Sequence, residues 1–315
     1  MRIDAALRAS VAVFIAAGTA SPAAADKITL LYTAGDSFTE SYVASDQGFF
    51  AKHGLDITLT AAPNGSLISA ALEAGSAQIG APTPTVLLQA DEQGLDLVIV
   101  ACANRNPIQP PVSETGIAVR ADSGIKSAAD LMGKKIAVPG LGGTIDVMVK
   151  KWLELHGTDF RKVDFVEMQL PQMPDGLRAG LVDAVAVVDP FLDRIIASKA
   201  GYDIGDFAAV TPPGTMSVVY AATRAWATDH AVEVKAFRAA LLESKAYIED
   251  TTHGDAVRAS IAKFTHLPPE AAASIQIPTN LDPIPRPDGM AFWIAATREQ
   301  GLVKGNPDPA KLIAP

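Results

Sequence analysis

The fold of this chain is decided by the stretch Lys135-Ile-Ala-Val-Pro-Gly-Leu-Gly-Gly-Thr144. It starts with the apolar composition of a strand, passes through a glycine-rich turn, and leads into a stretch of helical period at 145–156. The same order recurs along the chain, and β-rich runs that alternate with helices are typical of α/β domains with largely parallel sheets. Strands are predicted at 27–32, 55–60, 78–80, 97–101, 116–120, 135–138, 164–167, 184–188 and 218–222.

Beyond the last predicted strand the chain is expected to be helical. Apolar residues that recur on one face indicate a helix at 232–250, with Asp229 as its N-cap. The segment 278–287 holds four prolines, which exclude a helix or a central strand, so a surface connection is predicted there. A last helix is predicted at 288–300.

Several predicted strands end in a polar or glycine-rich turn that opens a helix. Five such junctions are Ser37-Phe-Thr-Glu40, Asn64-Gly-Ser66, Thr83-Pro84, Gly140-Leu-Gly-Gly-Thr144 and Asp189-Pro190. The first has the pattern of a capping box, and the third and fifth place an N-cap residue before proline. One explanation of such caps is that they only stop the helix ends from fraying. Five of them at the carboxyl ends of strands, where open α/β folds bind ligands, predict an anion-binding cleft instead.

The N-terminus has the features of a secretory signal peptide. Arg2 and Arg8 flank the start of an apolar run at 11–17, and small residues ending in Ala25 follow it. The run is shorter than the roughly 20 residues of a membrane-spanning helix, so cleavage after Ala25 is predicted rather than anchoring. The alternative is a buried N-terminal helix, which nothing between 20 and 26 would cap. Segment 1–25 is therefore expected to direct export to the periplasm.

Composition limits the classes of partner. The formal net charge is -9, and it becomes about -10 when two arginines and one aspartate leave with the signal peptide, which argues against a nucleic-acid partner. About 290 mature residues suffice for two soluble domains with their own cores. Cys102 is the only cysteine and lies in an apolar run, so no intramolecular disulfide is possible and a buried thiol is expected.

No catalytic motif is present. The glycines at 140, 142 and 143 fail the dinucleotide pattern because Ile145 occupies the position of its last glycine. Walker and G-x-S-x-G sequences do not occur, and the five histidines are scattered without the spacing of zinc ligands. We therefore predict no catalytic residue, no metal and no cofactor.

Four segments together carry a resemblance to a known family. They are Gln47-Gly-Phe-Phe-Ala-Lys-His-Gly-Leu55, Ala70-Ala-Leu-Glu-Ala-Gly-Ser-Ala-Gln-Ile-Gly80, Ser123-Gly-Ile-Lys-Ser-Ala-Ala-Asp-Leu-Met-Gly-Lys-Lys-Ile-Ala-Val-Pro-Gly140, and Leu177-Arg-Ala-Gly-Leu-Val-Asp-Ala184 with Asp189-Pro-Phe191. In this order they resemble the nitrate/sulfonate/taurine-type substrate-binding proteins of ABC importers. The segment from 123 to 140 is the most specific of the four.

The resemblance implies a type II periplasmic-binding-protein fold of two doubly wound α/β lobes joined by two crossing strands. Lobe one would comprise 26–119 and 219–315, and lobe two 120–218. Proteins of this family clamp a ligand between the lobes by hinge closure and deliver it to a membrane permease powered by a separate ATPase. A monomer that carries out no chemistry is expected.

The resemblance also implies the ligand-binding residues. They are Ser37, Phe38, Gly65, Ser66, Thr83, Thr85, Gly142, Gly143 and Thr144, with Asp189 and Met216 on the far wall. Phe38 and Tyr42 are expected to offer apolar or stacking surface, although a core role is equally compatible with their positions. Asp189 would favour an ammonium or hydroxyl group if it faces the cleft, and it says nothing about the ligand if it only caps its helix.

The predicted ligand is a small anionic organic molecule, such as a sulfonate, a carboxylate or an aromatic acid, because the expected donors are helix N-termini and hydroxyls. Relatives on this scaffold also carry pyrimidine precursors, and the fold does not decide among these classes. The alternative function is an enzyme on the same fold that acts on a pyrimidine precursor or a menaquinone-pathway intermediate. Export argues against it, since those substrates are cytoplasmic. A receptor sensor module would require a membrane anchor.

Overall fold

The computed structural model describes residues 27–106, 115–268, 272–273 and 275–315, and the predicted signal peptide lies outside them. The strands in this part are β1 (Lys27–Tyr32), β2 (Asp56–Ala61), β3 (Ile79–Gly80), β4 (Leu97–Arg105), β5 (Thr115–Arg120), β6 (Lys135–Val138), β7 (Asp164–Glu167), β8 (Ala184–Val188), β9 (Gly201–Asp203) and β10 (Met216–Thr223). The helices are α1 (Thr39–Asp46), α2 (Phe49–Lys52), α3 (Gly65–Glu73), α4 (Pro84–Glu92), α5 (Thr144–Leu155), α6 (Met173–Arg178), α7 (Phe191–Ala197), α8 (Arg224–Asp229), α9 (Ala231–Glu249), α10 (Gly254–Phe264) and α11 (Ala291–Glu299).

The strands form two sheets of five, in the orders β2-β1-β3-β10-β4 and β7-β6-β8-β5-β9. Within each sheet the first three strands run parallel, whereas β10 and β5 run antiparallel to both of their neighbours. Helices surround both sheets, which confirms the predicted fold of two doubly wound α/β lobes. We define lobe one as the part that carries the first sheet and lobe two as the part that carries the second.

The central strands are formed by continuous apolar sequence. Every residue of β4 is buried, as expected for a strand covered on both faces, whereas β2 lies at an edge and is largely exposed. Cys102 lies within β4, where burial raises the pKa of its thiol. The short β9, which contains a glycine, is an addition to the predicted strands.

Both predicted boundaries between the lobes fall inside strands. The boundary expected at 119/120 falls inside β5, which begins at Thr115 and pairs with β8 and β9, so the whole strand belongs to lobe two. The boundary expected at 218/219 falls inside β10, which begins at Met216 and pairs with β4 in lobe one. The chain crosses between Arg105 and Thr115 and again between Asp203 and Met216.

The helices of the C-terminal part lie close to their predicted positions. The longest helix, α9, begins one residue earlier than expected, and the residue before it is His230 rather than the predicted cap Asp229. A short 3₁₀ turn at Pro287–Met290 leads into α11, which ends at Glu299. No helix in the described ranges combines the length and the apolarity needed to cross a membrane.

The two lobes touch through α5 of lobe two, which packs against α4 and α11 of lobe one. The Gln89 amide donates to the carbonyl of Gly142 at 2.9 Å. The Gln300 amide donates to the carbonyl of Val147 at 2.9 Å, and Lys151 pairs with Glu299 at 2.8 Å. We call these three interactions the inter-lobe contacts.

Candidate functional site

A cavity of about 400 Å³ lies between the lobes. The strands β1 to β4 all end at one edge of the first sheet, because β4 runs parallel to β1 and β3. The strands β6, β7 and β8 end at one edge of the second sheet. Residues that follow these strands line the cavity from both sides, as the predicted strand-to-helix junctions imply.

Three helix N-termini meet at this cavity. Asn64 caps α3, and its side chain accepts a hydrogen bond from the Leu67 amide at 3.0 Å. Thr83 and Gly143 precede α4 and α5. A Cβ placed on Gly143 would lie only 3.9 Å from the Thr83 hydroxyl oxygen, so the α4 and α5 N-termini are close neighbours across the lobe interface. We call Gly65, Ser66, Thr83, Gly143 and Thr144 the helix-terminus wall; all five line the cavity.

The buried carboxylate of Asp146 stabilises the glycine-rich turn that precedes α5. Gly142 has a positive φ of 74°, which favours glycine, and its amide donates to Asp146 at 2.8 Å. Asp146 is fully buried and also accepts from the Lys150 ammonium at 2.6 Å. Sequence reasoning missed Asp146, although an acidic residue in the first turn of a helix was the available signal.

Six of the predicted ligand-binding residues line the cavity. They are Ser37, Gly65, Ser66, Thr83, Gly143 and Thr144. The hydroxyls of Ser66 and Thr144 have no hydrogen-bond partner within the described residues, so both are free to bind a ligand. Their role in binding stays a prediction.

Two predicted aromatic contacts lie in the core instead. Phe38 is buried beside Tyr32, Tyr42 and Tyr220. Tyr42 stacks on Phe264, and its hydroxyl donates to the Gly35 carbonyl at 2.7 Å. Tyr220 and Phe264 lie far away in sequence, and both rings are buried against them in the core.

Four further predicted contacts are not among the residues that line the cavity. Thr85 is buried and its hydroxyl meets that of Thr83 at 3.1 Å, while the Gly142 carbonyl is taken by Gln89. Asp189 is buried at the start of α7 and accepts from the amide of Asp193 at 3.3 Å, as a capping residue would. The backbone of Met216 accepts from a buried tryptophan indole of α11 at 2.6 Å.

The predicted capping box at 37 and 40 is wrong. Ser37 lies in a 3₁₀ turn (Asp36–Phe38), and α1 begins only at Thr39. Glu40 points into the core, where neither of its carboxyl oxygens has a hydrogen-bond partner among the described residues. Burial is the largest cause that raises its pKa well above the usual value.

Much of the lining was not predicted. Apolar side chains from both lobes contribute, among them Val86, Met148 and Phe207. The acidic residues of the lining are Asp36 and Asp206, and no lysine or arginine of the described residues joins them. Nor do the described residues contain a group of three histidine, cysteine or acidic side chains that could hold a metal ion.

The sequence places this architecture in a family. The family model described as NMT1/THI5 like matches residues 36–251, which include parts of both lobes and most of the residues that line the cavity. The chain belongs to the NMT1/THI5-like family. Among curated relatives, the nitrate/nitrite binding protein NrtA of Synechococcus elongatus is 27% identical over 72% of this chain and 56% of its own length. The bicarbonate transport ATP-binding protein CmpC of Synechocystis is 28% identical over 71% of this chain and 35% of its own length, so the chain spans between a third and just over half of these relatives.

Solved structures share the fold of this NMT1/THI5-like chain. The alkanesulfonate-binding protein SsuA of Xanthomonas axonopodis, bound to MOPS, has a TM-score of 0.77 at 19% identity and covers 91% of this chain and 97% of its own. The periplasmic nitrate-binding protein NrtA of Synechocystis has a TM-score of 0.75 at 14% identity, with 90% and 84% covered. The predicted resemblance to nitrate- and sulfonate-type binding proteins is confirmed.

Proposed function

We propose that this chain is the substrate-binding protein of an ABC importer and captures a small organic ligand in the cavity between its lobes. The observation that carries the proposal is the helix-terminus wall, in which N-termini from both lobes meet at one cavity. A ligand that touches both parts of the wall stabilises the closed arrangement more than the open one, which shifts the population by hinge closure. The names of the relatives, nitrate-binding and sulfonate-binding proteins, support the same class.

The ligand carries an anionic or hydrogen-bond-accepting group that faces the helix-terminus wall. Backbone amides at helix N-termini and the positive ends of helix dipoles attract such a group without any arginine. The rest of the ligand is organic, because Val86, Met148 and Phe207 offer it apolar surface. Sulfonates, carboxylates and aromatic acids share this combination. These three side chains replace Phe38 and Tyr42 as the reason to favour them over a bare inorganic anion.

The same proposal includes the compartment, the oligomeric state and the partners of the protein. The chain is exported to the periplasm by its signal peptide and acts there as a monomer, with an ABC permease and its ATPase as partners. It releases its ligand unchanged. The rival function, an enzyme on this fold, predicts that some bound compound is converted, so analysis of the bound compound after prolonged incubation separates the two.

The proposal is tested first by thermal shift with a panel of sulfonates, carboxylates and aromatic acids. Native-state binding raises the melting temperature, and a compound present at about 100 times its Kd adds about 2.7 kcal/mol of stability. No shift with any member contradicts the proposed ligand class. Turnover of a bound member contradicts the binding-only function.

Ser66→Ala and Thr144→Ala are each expected to weaken binding of a compound found in this way by about three- to tenfold. Each variant removes one hydroxyl hydrogen bond to the ligand, typically about 1 kcal/mol. Titration calorimetry measures the change, and Ser76→Ala is the matched control because its exposed hydroxyl bonds only the Ala71 carbonyl. Unchanged affinity in both test variants would place the ligand elsewhere.

A further inference from the structure

One side chain of lobe one reaches across to the glycine-rich turn of lobe two. Gln89 lies in α4, and its amide nitrogen donates to the Gly142 carbonyl at 2.9 Å. The same nitrogen donates to the Thr85 carbonyl of its own helix at 3.0 Å, which fixes the direction of the side chain. A Cβ on Gly142 would lie only 3.0 Å from the Gln89 side-chain oxygen, so this close approach requires glycine. Gln89 is not among the residues that line the cavity.

The bond from Gln89 holds the peptide that leads into α5. The Gly142 carbonyl belongs to the peptide that joins Gly142 to Gly143, and the amide of Gly143 donates to the Gly140 carbonyl at 3.1 Å. The Gly142 amide donates to Asp146 at 2.8 Å. Lobe two therefore holds the two amides of this turn, whereas Gln89 of lobe one holds the carbonyl between them. The amides that follow begin α5, where the first turn of a helix offers donors that the helix itself does not use.

The crossing segments lie at the other side of the cavity from the glycine-rich turn. They join β4 to β5 and β9 to β10, and in each sheet these strands lie together at one end of the strand order. The turn follows β6, which lies beside the opposite edge strand β7. Toward this edge a Cβ on Gly140 would lie 3.8 Å from the Cβ of Asn64, which follows edge strand β2. Opening of the lobes about the crossing segments therefore separates Gln89 from Gly142.

The other two inter-lobe contacts act on a different part of α5. Glu299 and Gln300, at the end of α11, meet α5 at Lys151 and at the Val147 carbonyl, beyond its first turn. Of the three inter-lobe contacts, only the bond from Gln89 reaches the turn that presents the N-terminus of α5.

We propose that Gln89 is a positioning residue for ligand capture. When the lobes close, its bond to Gly142 draws the N-terminus of α5 against that of α4, so that both face the anionic group of one ligand. Gln89 thereby supports binding without touching the ligand, and this inference rests on the proposed function. Loss of the bond lowers the population of the closed arrangement, and the apparent affinity falls with the fraction of molecules that can close.

The first test measures affinity by titration calorimetry with a compound from the thermal-shift panel. Gln89→Met keeps the length of the side chain without a donor, and it is expected to weaken binding by about three- to tenfold, as for one lost hydrogen bond. Gln89→Glu should weaken binding at least as much, because a carboxylate has no N–H to donate and sets an oxygen against the Gly142 carbonyl. Gln93→Met and Gln93→Glu are the matched controls, because Gln93 is exposed directly after α4. Both controls should bind as the wild type does.

The second test measures the distance between the lobes. Spin labels are placed at Glu73→Cys, at the end of α3, and at Lys162→Cys, two residues before β7; both positions are exposed. The buried Cys102 stays unlabelled. Pulsed electron paramagnetic resonance of the unliganded protein should show a larger long-distance population in Gln89→Met than in the wild type. An excess of the compound should restore the short distance in the variant.

The two tests together separate positioning from a role inside one lobe. Weaker binding by Gln89→Met with the same distance distribution as the wild type, with and without the compound, means that Gln89 acts only within lobe one, and it overturns the inference. Equal affinity of Gln89→Met and the wild type also overturns it and leaves the proposed function standing. If no compound of the panel binds the wild type, the proposed function is contradicted, and the positioning role falls with it.

Discussion

Glu40→Gln is expected to stabilise the protein at neutral and alkaline pH and to flatten the dependence of its stability on pH. Glu40 is fully buried, and neither carboxyl oxygen has a hydrogen-bond partner in the described part of the chain. Burial raises its pKa well above 4.5, opposed by Lys245 and reinforced by Asp282. The folded protein therefore holds this proton at pH values where the unfolded chain has released it. Glutamine has the same shape and no proton to lose.

The direction in which stability changes with pH follows from the number of protons that the folded and unfolded states bind. Above the unfolded pKa of about 4.3, the folded state binds more protons than the unfolded state, so stability falls as the pH rises. The contribution of Glu40 is lost at about 1.4 kcal/mol per pH unit until its folded pKa is reached. The advantage of the glutamine variant should therefore be small at pH 4.5 and grow toward pH 8.

Urea unfolding of the wild type and of Glu40→Gln at several pH values between 4.5 and 8 measures this difference. Glu73→Gln is the matched control, because Glu73 is exposed near the end of α3. The control should follow the wild type at every pH. A constant offset between Glu40→Gln and the wild type would mean that the carboxyl of Glu40 loses its proton as readily in the folded state as in the unfolded one.

Asp146→Ala is expected to lower the free energy of unfolding by about 3–5 kcal/mol, the usual cost of removing one partner of a buried pair. Its carboxylate is 0% exposed, and the change leaves both the Gly142 amide and the largely buried Lys150 ammonium without it. The turn then loses the contact that presents Gly143 and Thr144 to the cavity, so ligand affinity should fall as well.

Asp146→Asn is the conservative control, because the amide oxygen can still accept from Gly142. Urea unfolding and titration with a bound compound should place this variant between the wild type and Asp146→Ala in both properties. If the alanine variant is no less stable than the asparagine variant, Asp146 does not support the turn. If alanine destabilises but leaves affinity unchanged, the turn does not present the binding groups.

Local patterns were sufficient for most of the fold. The bounds of β1, β6, β7 and β8 agree with their predicted ranges, because apolar residues form the centre of each strand. The position of a loop at the carboxyl edge of a sheet also follows from element order alone. For this reason Ser37, Ser66 and Thr144 could be placed at the cavity from the sequence.

Side-chain direction could not be predicted in the same way. Phe38 and Tyr42 lie on a cavity loop, but their rings pack against Tyr220 and Phe264, which come from much later in the chain. The part of the lining that Asn104 and Asn280 form left no local pattern either. Asn280 lies in a proline-flanked connection, and only the tertiary fold brings it beside β4.

The inter-lobe contacts lie outside the cavity. Gln89, Lys151 and Gln300 join the lobes without lining the cavity. Under the proposed hinge closure, these contacts must break before a ligand can leave, so they set its residence time without touching it. Two chains with identical cavities could thus hold the same compound for different periods. Retention can therefore evolve separately from recognition.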